Sequence, residues 1–330
     1  MKRNAAVLLV VLLIIAVLIT GCGSDNTAKP SQEKDSKLKI RIADQFGLVY
    51  APLMLAREKD FFERYGLEIE WKRFGSGGAA REALASGDID VACMGIPPFL
   101  IGWDKGVPAK IAAGYIVSPV SLVTYKQEIK SIEDFTDDDK IALPSPGSIQ
   151  HILLSMATKN QLGSAQALDD ILVALPHPDG AAALIAQRDV DAHFTTPPYL
   201  FEELGLPGYN EILTGPEAFG GKFSFNVALV STKLYEENPM AYACFVQGLN
   251  DAVAWTERNK EEASELLAEE FNLPAEKLYE YMNWEGMDYT TAMYGLMEFA
   301  EFMKESGYIE NMPKDLSDVA YESVLALTVE

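Results

Sequence analysis

The chain has 330 residues, of which 48% are hydrophobic and 10% aromatic, and a formal net charge of −22. This length allows two domains, and this apolar content supports packed cores and excludes global disorder. So acidic a chain argues against nucleic-acid binding, but an anionic ligand stays open, because backbone dipoles can outweigh net charge inside a cleft.

The N-terminus carries the first local signal. Lys2 and Arg3 precede an uncharged apolar run over 5–20, shorter than the ~20 residues a membrane span needs. It reads as a signal peptide over 1–21. The run ends Ile19-Thr20-Gly21-Cys22, which resembles a lipobox and predicts that Cys22 becomes a lipidated N-terminus. The stretch 22–37 has no aliphatic residue larger than alanine and is expected to be a disordered tether, very roughly 20 Å across as a flexible coil. The folded part is therefore expected outside a bacterial cell membrane. Cys93 and Cys244 fall in apolar segments and read as buried free thiols. No Cys/His spacing resembles a metal site.

From residue 38 the pattern alternates strand and helix. A strand over 38–43 leads to a helix over 51–65, with Pro52 in its first turn and Gly66 as its C-cap. A strand over 67–73, a helix over 78–86, a strand over 91–94, a turn at Pro97-Pro98 and a strand over 109–115 follow. The segment 120–125 reads as a crossover strand. A second series then repeats the first: strand 140–143, helix 149–160, strand 171–175, helix 179–187, strand 192–194. A second crossover strand is expected at 226–231, and helices over 238–259, 260–271, 274–283 and 293–306 complete the chain. The two series share wording as well as order: GAAREALASGDIDVACMGIPPF at 78–99 and GAAALIAQRDVDAHFTTPPY at 180–199. Repeats this long point to two similar lobes with a cleft between them. The expected lobes are 38–119 with 232–330, and 120–231, joined by a two-stranded hinge.

In open α/β sheets ligands bind beyond the carboxyl ends of the strands, so the loops there are the candidate site. The first lobe offers Gln45, Phe46 and Tyr50, then Ser76, Gly77 and Gly78, then Gly95, Ile96 and Pro97. The second offers Ser145, Gly147, Ser148 and Gln150, then Thr195, Thr196 and Tyr199. Most of these loops put small residues before a helix, where free backbone N–H groups suit an anion or a carbonyl oxygen. Ser76 and Ser148 stand at helix starts on opposite lobes. The aromatics would supply walls and the glutamines hydrogen bonds. Asp88, Asp90, Asp189 and Asp191 precede their strands, so they are expected at the far end of the sheets. No strand-end loop carries Lys or Arg. An anion would be held by neutral donors, and a zwitterionic or neutral ligand fits as well. No nucleophile elbow, phosphate loop, metal cluster or Ser/His/Asp trio is present, so neither catalysis nor a cofactor or metal is expected.

The lipobox ITGC, FGLVYAPLMLAREKDFFERYGLEIEW, FGSGGAAREALASGDIDVACMGIPPFL and LPSPGSIQHILL together resemble the extracytoplasmic substrate-binding lipoproteins of ABC importers, of the nitrate/sulfonate/taurine type. That group is also similar to binders of thiamin pyrimidine precursors. The resemblance covers about 38–310. It implies a two-lobed periplasmic-binding-protein fold of type II, with doubly wound mixed sheets, hinge strands and a helical C-terminal region. It also implies closure on a small organic ligand (sulfonate-like, nitrate-like or heterocyclic) and delivery to permease and ATPase subunits by a monomeric, membrane-anchored protein. Pyrimidine synthases of the same fold rely on a cysteine-rich motif that this chain lacks. An enzyme on this scaffold, or a ligand-sensing lipoprotein without transport, are the alternatives.

Overall fold

The computed structural model describes residues 38–325. The leader, Cys22 and the tether lie outside the described residues. Within them, no helix is long and apolar enough to cross a membrane.

The first lobe starts with β1 (Leu38–Asp44), which alternates buried and half-exposed residues before it enters the core. α1 (Ala51–Glu58) follows, with Pro52 in its first turn. The expected helix to residue 65 stops short, because Asp60 takes a left-handed backbone with φ of 53°. A 3-10 turn at Glu63–Tyr65 then leads into left-handed Gly66. β2 (Leu67–Arg73), α2 (Gly77–Ser86) and β3 (Val91–Gly95) come next. The turn expected at Pro97-Pro98 is instead the start of α3 (Ile96–Asp104). Proline fits a first helical turn, where its missing N–H is not needed. β4 (Ala109–Ile116) ends this series.

The second lobe holds β5 (Ser121–Thr124), β6 (Ile141–Leu143), α4 (Ile149–Leu162), β7 (Leu172–Ala174), α5 (His177–Ile185), β8 (Ala192–Thr195), α6 (Tyr199–Leu204), β9 (Asn210–Thr214) and α7 (Gly215–Phe219). The chain then returns through β10 (Asn226–Ser231). Helices α8 (Thr232–Glu237), α9 (Pro239–Arg258), α10 (Lys260–Phe271), α11 (Ala275–Met282), α12 (Leu296–Glu305), α13 (Leu316–Val319) and α14 (Glu322–Leu325) follow. The long α9 packs on the first lobe, where Phe245 stacks on Phe62 with ring centroids 5.5 Å apart. Gly248 allows that approach: a Cβ there would lie 2.7 Å from the Phe62 ring.

Each lobe has a five-stranded sheet, ordered β2-β1-β3-β10-β4 and β7-β6-β8-β5-β9. Three strands run parallel, and the fourth position is filled by an antiparallel strand. That strand is the one that follows a crossing between lobes. The two crossover strands are therefore present, but they do not pair with each other as a hinge. β5 pairs with β8 and β9, and β10 pairs with β3 and β4, so β10 belongs to the first lobe's sheet, not to the second lobe as expected from sequence. The crossings themselves are the short segments before these strands. They are tied together by Phe225 N–H to Ile116 O at 2.8 Å and Gly215 N–H to Val120 O at 2.7 Å.

The far end of each sheet is closed in the same way. The Arg41 amide and the Lys140 amide donate to Asp90 at 2.9 Å and to Asp191 at 2.8 Å. The Arg41 guanidinium adds two bonds to Asp90, at 2.9 and 2.7 Å. These carboxylates tie neighbouring strands and stand away from the cleft, as their place before β3 and β8 predicts.

Candidate functional site

The carboxyl ends of β1, β3, β6 and β8 face one another across the two lobes and line a narrow cavity, whose non-atom space, open solvent included, is about 360 Å³. The lobes touch around it. The Leu48 amide donates to the Pro197 carbonyl at 2.8 Å. Gly95 lies so close to Ile149 that a Cβ on it would sit 3.1 Å from the Ile149 Cβ, and Gly75 approaches Pro176 as tightly.

From the first lobe, Gln45, Phe46, Tyr50, Gly77 and Gly95 line the cavity. Gln45 Nε2 and the Tyr50 hydroxyl both donate to the Cys93 carbonyl, at 3.1 and 3.2 Å. This holds both side chains against the end of β3. Burial, with Cys93 and Asp44 nearby, pushes the Tyr50 phenol well above its ordinary pKa, so it stays a neutral wall. Phe46 lies under the Arg73 guanidinium, 5.5 Å from its ring centroid. Arg73 is itself held by Asp44 at 2.9 Å and Glu270 at 2.6 Å, bonds that raise its pKa further, the one to Asp44 most. The arginine therefore braces the rim and is not among the lining residues.

From the second lobe, Ser148, Gln150 and Thr196 line the cavity. Ser148 caps α4, its hydroxyl accepting from the His151 amide at 3.3 Å. Gln150, in the first turn, reaches His177, with 3.0 Å between its Nε2 and His177 Nε2. Thr196 Oγ1 is buried with no hydrogen-bond partner among the described residues.

The remaining candidates stand at the rim or behind the wall. Ser76 caps α2, its hydroxyl accepting from the Ala79 amide at 3.2 Å. Gly78 faces Ser145 across the lobes: a Cβ on it would lie 3.3 Å from Ser145 Oγ, which is buried without a hydrogen-bond partner among the described residues. Ile96 is buried in the core, and Pro97 yields its place in the lining to Pro98. Gly147, at φ of 74°, directs its amide to His151 Nδ1 at 2.9 Å. Thr195 Oγ1 is 3.2 Å from His177 Nδ1, and Tyr199 stacks on the His177 ring at 6.0 Å.

Sequence reasoning missed Asn226 and Phe225, which line the cavity from the returning chain. Asn226 is the first residue of β10 and pairs with Gly95. An antiparallel strand brings its amino end to the edge where its parallel neighbours end, and a search of strand carboxyl ends passes it by. Its Nδ2 is buried and makes no well-formed hydrogen bond among the described residues, although it stands beside the Tyr50 hydroxyl. Val49, Pro98, Pro144, Ile149 and His177 complete the lining. His151, in contrast, turns to Asp169 at 3.0 Å, away from the cavity.

The lining holds no Lys or Arg and, among ionisable groups, only Tyr50 and His177. Burial, with His193 adjacent, depresses the His177 pKa well below the ordinary histidine value. Among the described residues no cluster of His, Cys, Asp and Glu could hold a metal ion. The cavity thus presents neutral donors and helix N-termini to a small polar molecule.

A two-lobed α/β fold with a donor-lined interlobe cavity defines a solute-binding protein of the type that serves importers. The chain belongs to the NMT1-like family, whose model matches residues 33–269. It is 30% identical over 274 residues, 79% of this chain and 77% of the relative, to a Bacillus subtilis (strain 168) protein assigned to aliphatic-sulfonate binding. Its fold is that of the alkanesulfonate-binding protein SsuA from Xanthomonas axonopodis pv. citri bound to MOPS. That match has a TM-score of 0.67 and 21% identity, and covers 88% of this chain and 98% of that one. The periplasmic aliphatic sulphonate binding protein SsuA of Escherichia coli matches with a TM-score of 0.64 and 22% identity, covering 86% and 92%. The family relation carries an extracytoplasmic solute-binding role with a small-molecule ligand and transporter partners.

Proposed function

We propose that the chain captures a small oxyanion of the sulfonate class between its lobes and presents it to the permease of an ABC importer, without chemical change. The observation that carries this reading is the pair of buried groups, Asn226 Nδ2 and Thr196 Oγ1, that make no well-formed hydrogen bond among the described residues, in a cavity lined by no cationic side chain. An unpaired buried donor is costly unless a ligand satisfies it. An anionic oxygen between Asn226 on one lobe and Thr196 on the other would bridge them, and the amino ends of α3 and α4 would add their dipoles. The Bacillus subtilis relative supports sulfonates over other oxyanions.

In this reading the domain boundaries fall in the two connections, 117–120 and 215–225, and ligand favours the closed state through its higher affinity for it. Residues 1–21 are a cleaved leader, lipidated Cys22 anchors a monomer, and Gln45, Phe46, Tyr50, Ser76, Gly77, Gly78, Gly95, Ser145, Ser148, Gln150 and Thr196 form the site with Asn226. Calorimetric titration with a panel of alkanesulfonates, taurine, nitrate and pyrimidines tests the ligand. At least one sulfonate should bind, and Asn226→Ala should weaken it about tenfold, the value of one hydrogen bond. Binding of a pyrimidine alone, or turnover of a bound compound, would overturn the reading. Loss of membrane attachment in Cys22→Ser tests the anchor.

A further inference from the structure

Behind the second-lobe wall lies a chain of buried polar groups that solute capture, as described above, does not use. Gln150 Nε2 is 3.0 Å from His177 Nε2. His177 Nδ1 is 3.3 Å from His193 Nε2, and His193 Nδ1 is 2.6 Å from Glu203 Oε1. His193 and Glu203 have no solvent exposure, and Glu203 Oε2 has no hydrogen-bond partner among the described residues. The four residues come from α4, α5, β8 and α6. Gly180 of α5 leaves room for the second ring: a Cβ there would lie 2.7 Å from His193 Nε2.

Each link of this chain needs one proton. Thr195 Oγ1, 3.2 Å from His177 Nδ1, is a second partner at the middle link and can donate or accept there. Where the two rings bond each other, the proton at one end dictates the other. A carboxylate at Glu203 would draw the His193 proton to Nδ1 and the His177 proton to Nδ1, leaving a lone pair at His177 Nε2 beside the cavity. It would also leave a buried charge with one bare oxygen, which is strongly disfavoured. A carboxylic acid at Glu203 donates to His193 Nδ1. His193 then carries its proton on Nε2 and donates to His177 Nδ1, and His177 carries its own on Nε2. The Gln150 amide nitrogen faces His177 Nε2 at 3.0 Å, the arrangement that suits an acceptor there. The donor state requires a half-turn of that amide, which brings its oxygen to the N–H and frees its –NH2 for the cavity.

We propose that Glu203, acting through His193, fixes the proton of His177 on Nε2 so that the second-lobe wall is a hydrogen-bond donor, and that loss of the Glu203 proton reverses the chain and makes the wall an acceptor. Glu203 and His193 are thus positioning residues for ligand capture, and this rests on the cavity being the solute site. The other ionisable groups near the chain are Glu202 and Tyr199 on α6, Asp179 on α5, Tyr281 on α11 and, across the cleft, Arg73 and its partner Glu270. β5, which also packs on α6, contributes Ser121–Thr124 and no ionisable side chain. Burial raises the Glu203 pKa well above the carboxylate range, in accord with the neutral acid.

Two-bond 1H–15N spectra of histidine-labelled protein test this without ligand, because the chain has three histidines and His151, bonded to Gly147 and Asp169, serves as a reference. At neutral pH His177 and His193 should both be protonated on Nε2, and both should move to Nδ1 together as pH rises. Glu203→Gln, whose amide can donate but not ionise, should keep the Nε2 protons at every pH, and Glu203→Leu should uncouple the two rings. Nδ1 protons in the wild type at neutral pH, independent titration of the rings, or a wild-type pH profile in Glu203→Gln would overturn the proposal. If Glu203→Leu does not fold, the wild type and Glu203→Gln decide it. Ethanesulfonate as probe should bind Glu203→Gln like the wild type and Glu203→Leu about tenfold more weakly. Failure of the probe to bind any of the three counts against the ligand class, and the ligand-free spectra still judge the proton chain.

Discussion

The Leu48 amide donates to the Pro197 carbonyl at 2.8 Å across the interlobe cleft. The preceding residue makes this possible. Gly47 holds φ of 113° and ψ of 158°, a region in which only glycine is at ease. It also brings the loop after β1 against Thr196, since a Cβ on Gly47 would lie 3.5 Å from Thr196 Oγ1. Gly47→Ala should therefore strain the closed arrangement by about 1–3 kcal/mol. Because the strain falls on a loop that the open protein need not hold in this form, the variant should open and keep its melting temperature within a few degrees. Small-angle scattering should report a larger radius of gyration than for the wild type. An unchanged radius would show that the contact does not hold the lobes together.

Thr196→Val keeps shape and removes the unpartnered hydroxyl. The free protein loses no hydrogen bond by this, as Oγ1 makes none among the described residues. The variant should be as stable as the wild type or slightly more so, and should bind its solute about tenfold more weakly. Thr195→Val is the contrasting case: its hydroxyl serves His177 at 3.2 Å, so it should cost about 1 kcal/mol of stability. Chemical unfolding and calorimetry on the two variants separate these effects.

The buried histidines and Glu203 make opposite contributions to stability against pH. Burial lowers His177, and lowers His193 to about 3. Both rings are protonated in the unfolded chain below the ordinary value of 6.5 but not in the folded one, so stability falls as pH drops below 6.5. Glu203, raised by burial from 4.5, keeps its proton in the folded state after the unfolded chain has lost it, so its contribution falls as pH rises above 4.5. Between these two values the two histidines oppose the raised acids, and with both rings uncharged in the folded state stability should rise with pH there. Above the histidine range the acids raised by burial, Glu203 and its neighbour Glu202, remain and the slope turns negative. Urea unfolding should thus find maximal stability near the ordinary histidine value, and Glu203→Gln should flatten the alkaline limb. A wild-type-like decline in that variant would remove Glu203 as its source.

Much of this architecture was legible in the chain. The repeat around Asp88–Asp90 and Asp189–Asp191 announced two lobes, and the structure carries it into paired bonds from the Arg41 and Lys140 amides to Asp90 and Asp191. The loops after the parallel strands were found because glycine, serine and proline there have one physical reading. Asn226 was not found, because which strand fills the fourth position of a sheet is set by tertiary pairing and leaves no local mark. Two prolines usually interrupt a helix, so Pro97-Pro98 reads as a turn from sequence, and only their place in the first turn of α3 makes them compatible with one. The His177–His193–Glu203 chain has no spacing signature: its members meet only through the packing of α5, β8 and α6.

The antiparallel fourth strand also constrains the order in which the molecule can be assembled. The second lobe's sheet is drawn from one continuous stretch, β5 to β9, whereas the first lobe's sheet has a gap one strand wide between β3 and β4 until β10 arrives. A chain emerging amino end first, as across a membrane, can complete the later lobe before the earlier one. Until residue 231 is out, β3 and β4 each present an unpaired edge, and such edges bind other strands readily. The lobe that begins the chain is the last to close, and the strand that closes it carries Asn226 into the cleft.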